Sequence, residues 1–401
     1  MLQKFIHKLF RKRHYWRTIG FDELSEIYTS MFLRSFALHI IGIFVPIYLY
    51  KIGFSLESVF FWIMCWYIFR IFYTFLSAKI IAKIGPKHSI ALATVIYIVY
   101  LSLLMTIKDL GWPLIILAAI GSLGTALFMI AFEVDFSKVK HSEHGGKELG
   151  YEQIFEKVGA VVGPLMGGLI ATFIDPRYTI ALAIVVLCIS LIPLFASAEP
   201  THVRQKIIFK GFPMKRHKRD FISGAVFNNE NMITIIIWPI FIAVTILETN
   251  TFAVLGVLAA VGTTIALLAS FTIGKLVDEQ KGGLLLKSGV IVNAITHIFR
   301  PFANSITQVL GINLINEPTT IAYRLPYLKG RFDAADSLPG YRIIYFSLID
   351  MFSSILTVVL WLIICLITFV SDPIVAMKWS FIIAAGLSLL ILTQRFAALR
   401  Q

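Results

Sequence analysis

Apolar residues fall in long blocks along this chain, with polar residues confined to short breaks between them. Blocks near the roughly 20 residues needed to cross a bilayer recur about twelve times. They predict membrane helices at about 28–50, 56–80, 88–107, 112–134, 151–173 and 178–196, and again at about 221–248, 251–275, 284–303, 305–325, 341–368 and 374–394. The longest and most basic break, EPTHVRQKIIFKGFPMKRHKRD from Glu199 to Asp220, leaves six helices on either side. The chain therefore divides into a basic tail (1–20), a first six-helix bundle (21–196), a linker (197–220) and a second bundle (221–396). This is an all-α polytopic membrane protein in prospect.

Composition agrees with the pattern. Hydrophobic residues make up 58% of the 401 positions and charged residues 15%, well below the quarter usual in soluble domains. Mean hydropathy is +0.81. The formal charge of +13 invites a nucleic-acid reading until the Lys and Arg are sorted by side. If twelve helices alternate, all lie on the tail-and-linker side except Lys51, Lys108, Arg177 and Arg300 opposite, and Arg34, Arg70, Lys157 and Lys378 within helices. That asymmetry is the positive-inside pattern, placing both termini in the cytoplasm of a plasma (inner) membrane protein without any nucleic-acid partner. The tail MLQKFIHKLFRKRHYWR is expected to be retained, either as an amphipathic helix with Phe5, Ile6, Leu9 and Phe10 on anionic lipid or as a disordered topogenic anchor. Cys65, Cys188 and Cys365 fall inside helices, so neither a disulfide framework nor a metal cluster is expected.

One block carries an unusual load of glycine. GYEQIFEKVGAVVGPLMGGLI holds Gly150, Gly159, Gly163, Gly167 and Gly168 around Pro164. Each interior glycine costs about 1 kcal/mol relative to alanine in water, so propensity does not select them. Gly159, Gly163 and Gly167 repeat at i, i+4 and form a smooth stripe that another helix can approach closely, whereas Gly150 is out of phase and reads as a helix start. Short turns at matching places in the two halves, AKIIAKIGPK from Ala78 and GKLVDEQKGG from Gly274, suggest a duplication.

These segments resemble motifs of the major facilitator superfamily. All specified positions of its fifth-helix motif are filled by Gly150, Gly159, Gly163, Pro164, Gly167 and Gly168. Its loop motif is matched by Gly274 and Asp278, then loosely by Lys281 and Gly282, and in the first half only by Lys83, Gly85 and Lys87. The resemblance implies two six-helix bundles about a central cavity, with helices one, four, seven and ten lining it. It also implies that the glycine helix closes on the other half, and that Asp278 faces the N-terminal end of helix five to hold a gate shut. The fifth-helix motif is associated with antiporters that export drugs and metabolites, although the fourth helix here lacks the arginine those exporters carry.

Intramembrane polar groups are costly and therefore informative. Helix one carries Arg34 and His39, helix four ends with Glu133 and Asp135, helix seven holds Asn228, Asn229 and Glu230, and helix ten holds Asn313, Asn316 and Glu317. The candidates for solute binding are these polar residues of helices one, seven and ten, with Arg34 neutralised by Glu230 or Glu317 from the other half. Packing roles compete: Arg34 can snorkel, His39 and His297 can be hydrogen-bonded core residues, and Glu133 and Asp135 can be surface groups. Arg70 and Asp350 can form a structural ion pair between helices two and eleven or serve coupling. His141 and His144 read as loop residues. Nothing resembles a nucleophile–base pair or a phosphate loop, so no enzyme activity and no cofactor is expected.

The sequence thus points to a secondary transporter moving a small-molecule solute by alternating access, monomeric in membrane lipid, coupled to a proton or other ion. The first reading is export of an amphiphilic or drug-like compound by antiport. The second is uptake of a polar nutrient by ion symport, and the third a non-transport integral-membrane enzyme or lipid-handling protein.

Overall fold

The computed structural model describes residues 21–139, 145–194, 207, 211–338 and 340–396. They form twelve long helices. In the first half these are α1 (Phe21–Ile41, continued by a 3-10 turn, Gly42–Phe44, into Val45–Lys51), α2 (Leu56–Ile84), α3 (Pro86–Met105), α4 (Leu114–Val139), α5 (Gly145–Phe173) and α6 (Pro176–Leu194). In the second they are α7 (Met214–Met232, a π turn at Ile233–Ile237, then Trp238–Thr245), α8 (Thr251–Leu276), α9 (Gly282–Phe299), α10 (Ile306–Asp336), α11 (Arg342–Val370) and α12 (Pro373–Leu389). A second π turn, Val277–Lys281, joins α8 to α9. Local chemistry sets several ends. Gly85 takes φ +86° so that α2 can turn directly into α3, which Pro86 opens without losing a hydrogen bond. Asp372 caps the amide of Ile374 and Pro373 starts α12.

Packing repeats between the halves. In the first, α1 lies on α5 and α6, α4 on α2 and α3, and α3 on α6; in the second, α7 lies on α11 and α12, α10 on α8 and α9, and α9 on α12. Adding six to each helix number turns one set into the other, as expected of a duplicated fold. The halves join along α5–α8 and α2–α11, which that rule also exchanges. Apolar side chains such as Val95 and Val99 on α3, Ile189 and Ile192 on α6, Ile291 and Ile295 on α9 and Trp379 on α12 are exposed, which is the face a hydrocarbon solvent would cover.

Several boundaries differ from the hydropathy pattern. α10 runs to Asp336, well past the expected end near 325, because Arg324, Lys329 and Arg331 end the apolar run without ending the helix. α7 starts at Met214, inside the stretch taken as linker, and α5 starts at Gly145, ahead of Gly150. Pro164, Pro193, Pro318 and Pro326 lie inside α5, α6 and α10. Surrounding helices tolerate such interruptions in membrane proteins. The basic tail, His141 and His144, and nearly all of the linker before Gly211 lie outside the described residues.

Candidate solute pathway

The four sides of α10 can be told apart by what they touch. Ile315 is more than half exposed and marks the outer side. Ile321 and Leu325 pack with Ala266, Ile273 and Val277 of the α8 region, fixing a second side. Gly289 of α9 lies so close to the third that a Cβ there would meet the Tyr323 amide nitrogen at 3.0 Å. The fourth side carries Asn313, Glu317, Thr320, Arg324 and Arg331. Seven residues are two turns less about 20°, so Asn313, Thr320 and Glu317, Arg324 each recur on nearly one line.

This fourth side looks into the molecule. Near its start the Trp238 indole of α7 donates to Asn313 Oδ1 at 2.9 Å. Near its end Arg331 donates to Glu133 Oε1 on α4, in the other half, and both side chains are buried. Glu317 and Arg324 lie between these anchored ends and make no hydrogen bond or ion pair with a described residue. The Glu317 side chain lies beside Gly262 of α8, where a Cβ would sit 3.3 Å from its Cγ. Arg324 has a buried Nε without a hydrogen-bond partner.

Glu230 is engaged elsewhere. Its Oε1 lies 3.0 Å from His297 Nε2 and accepts from Thr234 Oγ1 at 3.1 Å, while Tyr323 donates to Oε2. Arg300 extends the cluster, donating to Thr234 Oγ1 at 2.8 Å and to Asn316 Oδ1 at 3.0 Å. Glu230, His297, Arg300 and Asn316 are all almost completely buried, so the cluster is an internal polar strut joining α7, α9 and α10. Arg300, expected in an outer connection, sits inside the bundle because its charge is matched there and its guanidinium lies 5.3 Å from the Trp238 ring centroid. Asn229 fastens α7 to α11 through the Ser353 carbonyl oxygen at 3.2 Å, and Asn228 is half-buried beside it.

Arg34 does not meet Glu230 or Glu317. It stays in its own half, donating to Thr94 Oγ1 of α3 at 2.8 Å with its guanidinium 3.5 Å from the Phe128 ring centroid on α4. His39 Nδ1 lies 2.7 Å from the Ser35 carbonyl oxygen, one turn back on α1. Arg70 and Asp350 join α2 to α11: Nη2 lies 2.6 Å from Oδ1, Nε lies 3.1 Å from Oδ2, and Thr74 donates to Oδ2 at 2.9 Å.

The glycines of α5 divide between two neighbours. A Cβ on Gly159 would meet the Phe36 amide nitrogen at 2.8 Å, one on Gly163 the Phe36 carbonyl oxygen at 2.9 Å, and one on Gly167 the Ile40 carbonyl oxygen. All three contacts are with α1, so the stripe packs inside the first half and does not close the two halves. The adjacent row does that: Gly168 abuts the Phe252 carbonyl oxygen and Gly256 of α8, and Gly256 abuts the Pro164 carbonyl oxygen. The two rows are one residue, about 100°, apart, enough to face different helices. A Cβ on Gly274 would touch nothing within 4 Å. The side chain of Asp278 lies outside the described residues.

With the tenth helix ended near 325, Arg331 falls in the following connection and Arg324 at the helix end bordering it, so neither reads as an intramembrane polar group. The seven-residue recurrence from Asn313 through Thr320, and from Glu317 through Arg324 to Arg331, was the available signal, and it becomes visible once the helix is carried to Asp336. His297 and Arg300, three apart in HIFR, were likewise visible as one helix face.

The sequence profile of the Major Facilitator Superfamily matches residues 8–315. No curated protein matches the chain significantly. Among solved structures, a POT family transporter in complex with a thioalcohol-conjugated peptide superposes with a TM-score of 0.70 at 11% identity, covering 92% of this chain and 94% of that one. A bacterial homologue of the iron transporter ferroportin in its outward-facing state gives 0.64 at 13% identity, covering 91% and 98%. The same homologue with soaked iron gives 0.65 over the same shares. At these identities the likeness is one of fold.

Proposed function

The chain belongs to the major facilitator superfamily, and on that premise we propose that it carries a small polar solute between the halves by alternating access, driven by the gradient of a proton or other ion. Integral membrane placement and secondary transport follow from the fold and family. The finer reading rests on one observation: Glu317 and Arg324 stand unpaired on the inward side of α10, between two anchored positions. An unpaired charge inside a membrane helix is expensive and marks a solute or ion pathway. Glu230, held by His297 and Tyr323, is the proposed rigid support behind that surface, not part of it.

Reconstituted protein with a pH dye inside the liposomes tests this. Solutes that move protons through the wild type should move them at least about tenfold more slowly through Glu317→Gln, the scale set by losing one charge-assisted contact. Wild-type rates and an unchanged pH profile in that variant would remove Glu317 from the pathway.

Export of an amphiphilic compound by antiport is the second reading, supported by the complete glycine motif of α5. Counterflow from right-side-out and inverted vesicles separates the directions. The proposed orientation has the linker and both termini in the cytoplasm, so a cysteine at Met214 should react in intact cells only with membrane-permeant reagents.

A further inference from the structure

We propose that Glu317 and Arg324 are the two poles of one binding site, and that the solute it takes is a zwitterion with its cationic group toward Glu317 and its anionic group toward Arg324. The inference deepens the pathway reading above and rests on it. Four observations carry it. Both residues project from the same side of α10, since seven residues bring the helix back to within about 20°. That side is bounded by helices α8 and α9 and lies opposite the exposed Ile315. Neither side chain makes a hydrogen bond or ion pair with a described residue, Arg300 acting on Glu317 only at longer range, whereas Arg331 on that side is paired. And the two cannot satisfy each other across their axial separation of about 10 Å, well beyond an ion pair.

The separation also sets the ligand's dimensions. Side chains on a helix lean toward its N-terminus, and the longer Arg324 leans further toward Glu317, leaving roughly 7–10 Å between the charges. A singly charged solute satisfies one pole and leaves the other without an ion-pair partner. A zwitterion of matching length satisfies both without net charge, so it adds no net charge to the protein when the halves close over it. Thr320 lies between the poles on the same side and is the position at which an occupant can be detected.

The test uses purified protein in liposomes, with Cys65, Cys188 and Cys365 replaced by alanine and Thr320→Cys introduced. A water-soluble maleimide reports access, and protection reports occupancy. Probes are glycine, 4-aminobutyrate, 6-aminohexanoate and 8-aminooctanoate, with hexylamine and hexanoate as singly charged controls. We expect protection to peak at 6-aminohexanoate or 8-aminooctanoate, at concentrations at least about tenfold below either control, as loss of one charge-assisted contact requires. Glu317→Gln should make 6-aminohexanoate no better than hexanoate, and Arg324→Gln no better than hexylamine. Arg324→Lys, which keeps the charge, should retain most of the preference and shows that the site is folded. Dihexanoyl phosphatidylcholine separates a lipid headgroup from a free solute: protection by it below the amino acids sustains the dipolar site and assigns it to headgroups. Equal protection by hexylamine, hexanoate and the amino acids overturns the proposal while leaving the pathway standing. A cysteine at Thr320 that never reacts from water overturns both.

Discussion

The halves of the molecule are joined along two seams of opposite character. Along α5–α8 the contact is backbone on backbone: Gly168 against the Phe252 carbonyl oxygen, Gly256 against the Pro164 carbonyl oxygen, and the Ala253 amide donating to Thr172 Oγ1 at 2.9 Å. Along α2–α11 it is made by side chains: Arg70 with Asp350, Phe60 with Trp361 at 5.6 Å between centroids, and Tyr67 with Met232 of α7. A seam of glycine and carbonyl tolerates rolling and sliding but no change of spacing, since any side chain would occupy the space the partner backbone fills. A seam of side chains adapts to a change of spacing, because rotamers can shift and water can solvate Arg70 and Asp350 as they part. Relative motion of the halves therefore has one seam on which to pivot and another that can open.

The largest effect should separate the two glycine rows of α5. Gly168→Leu forces α8 away and should cut solute flux by about two orders of magnitude, the scale of a positioning error in an assembled site. Gly163→Leu, directed at α1, should instead destabilise the first half by about 1–3 kcal/mol with little change in turnover per folded molecule. Flux and thermal unfolding measured on both variants check this, and reversed phenotypes would break the distinction between the rows.

A middle-sized effect tests the ionic seam. Asp350→Asn leaves Arg70 half-buried and short of its counter-charge, which should cost about 1.5–3 kcal/mol of stability. Arg70→Gln combined with Asp350→Asn should recover much of that loss, because no charge is then left unmatched. A double variant no better than the single one would mean that the pair does more than neutralise itself.

The smallest effect belongs to Gly274. Nothing lies where its Cβ would be, so Gly274→Ala should leave flux unchanged and stabilise α8 by up to about 1 kcal/mol. Reduced flux would restore this glycine to the gate that the loop motif implies.

Much of the architecture was legible because each helix must be long and apolar to cross a bilayer, a constraint written into the chain run by run. The end of α10 was not, because Arg324 and Arg331 break the apolar run while facing inward, and hydropathy does not register direction. The α5 glycines were conspicuous, but spacing reveals only that something approaches closely. Which helix approaches depends on a rotation of one residue, settled by α1 and α8 together. Arg34 and Glu230 were recognisable as costly groups. Their partners, Thr94 and His297, are ordinary residues on α3 and α9, outside the helices expected to line the cavity, and only packing brings them into reach.

The π turn at Ile233–Ile237 fixes the phase of α7. In an unbroken α-helix Trp238 would point about 80° away from Glu230, since eight residues overshoot two turns by that angle. A π turn accommodates one surplus residue, which takes back about 100° and returns Trp238 to within roughly 20° of the Glu230 direction. Both ends of α7 can then address α10 at once, Glu230 through Tyr323 and Trp238 through Asn313. The helix is in effect spliced with one extra letter. Every side chain beyond the splice keeps its partner only while that letter stays where it is.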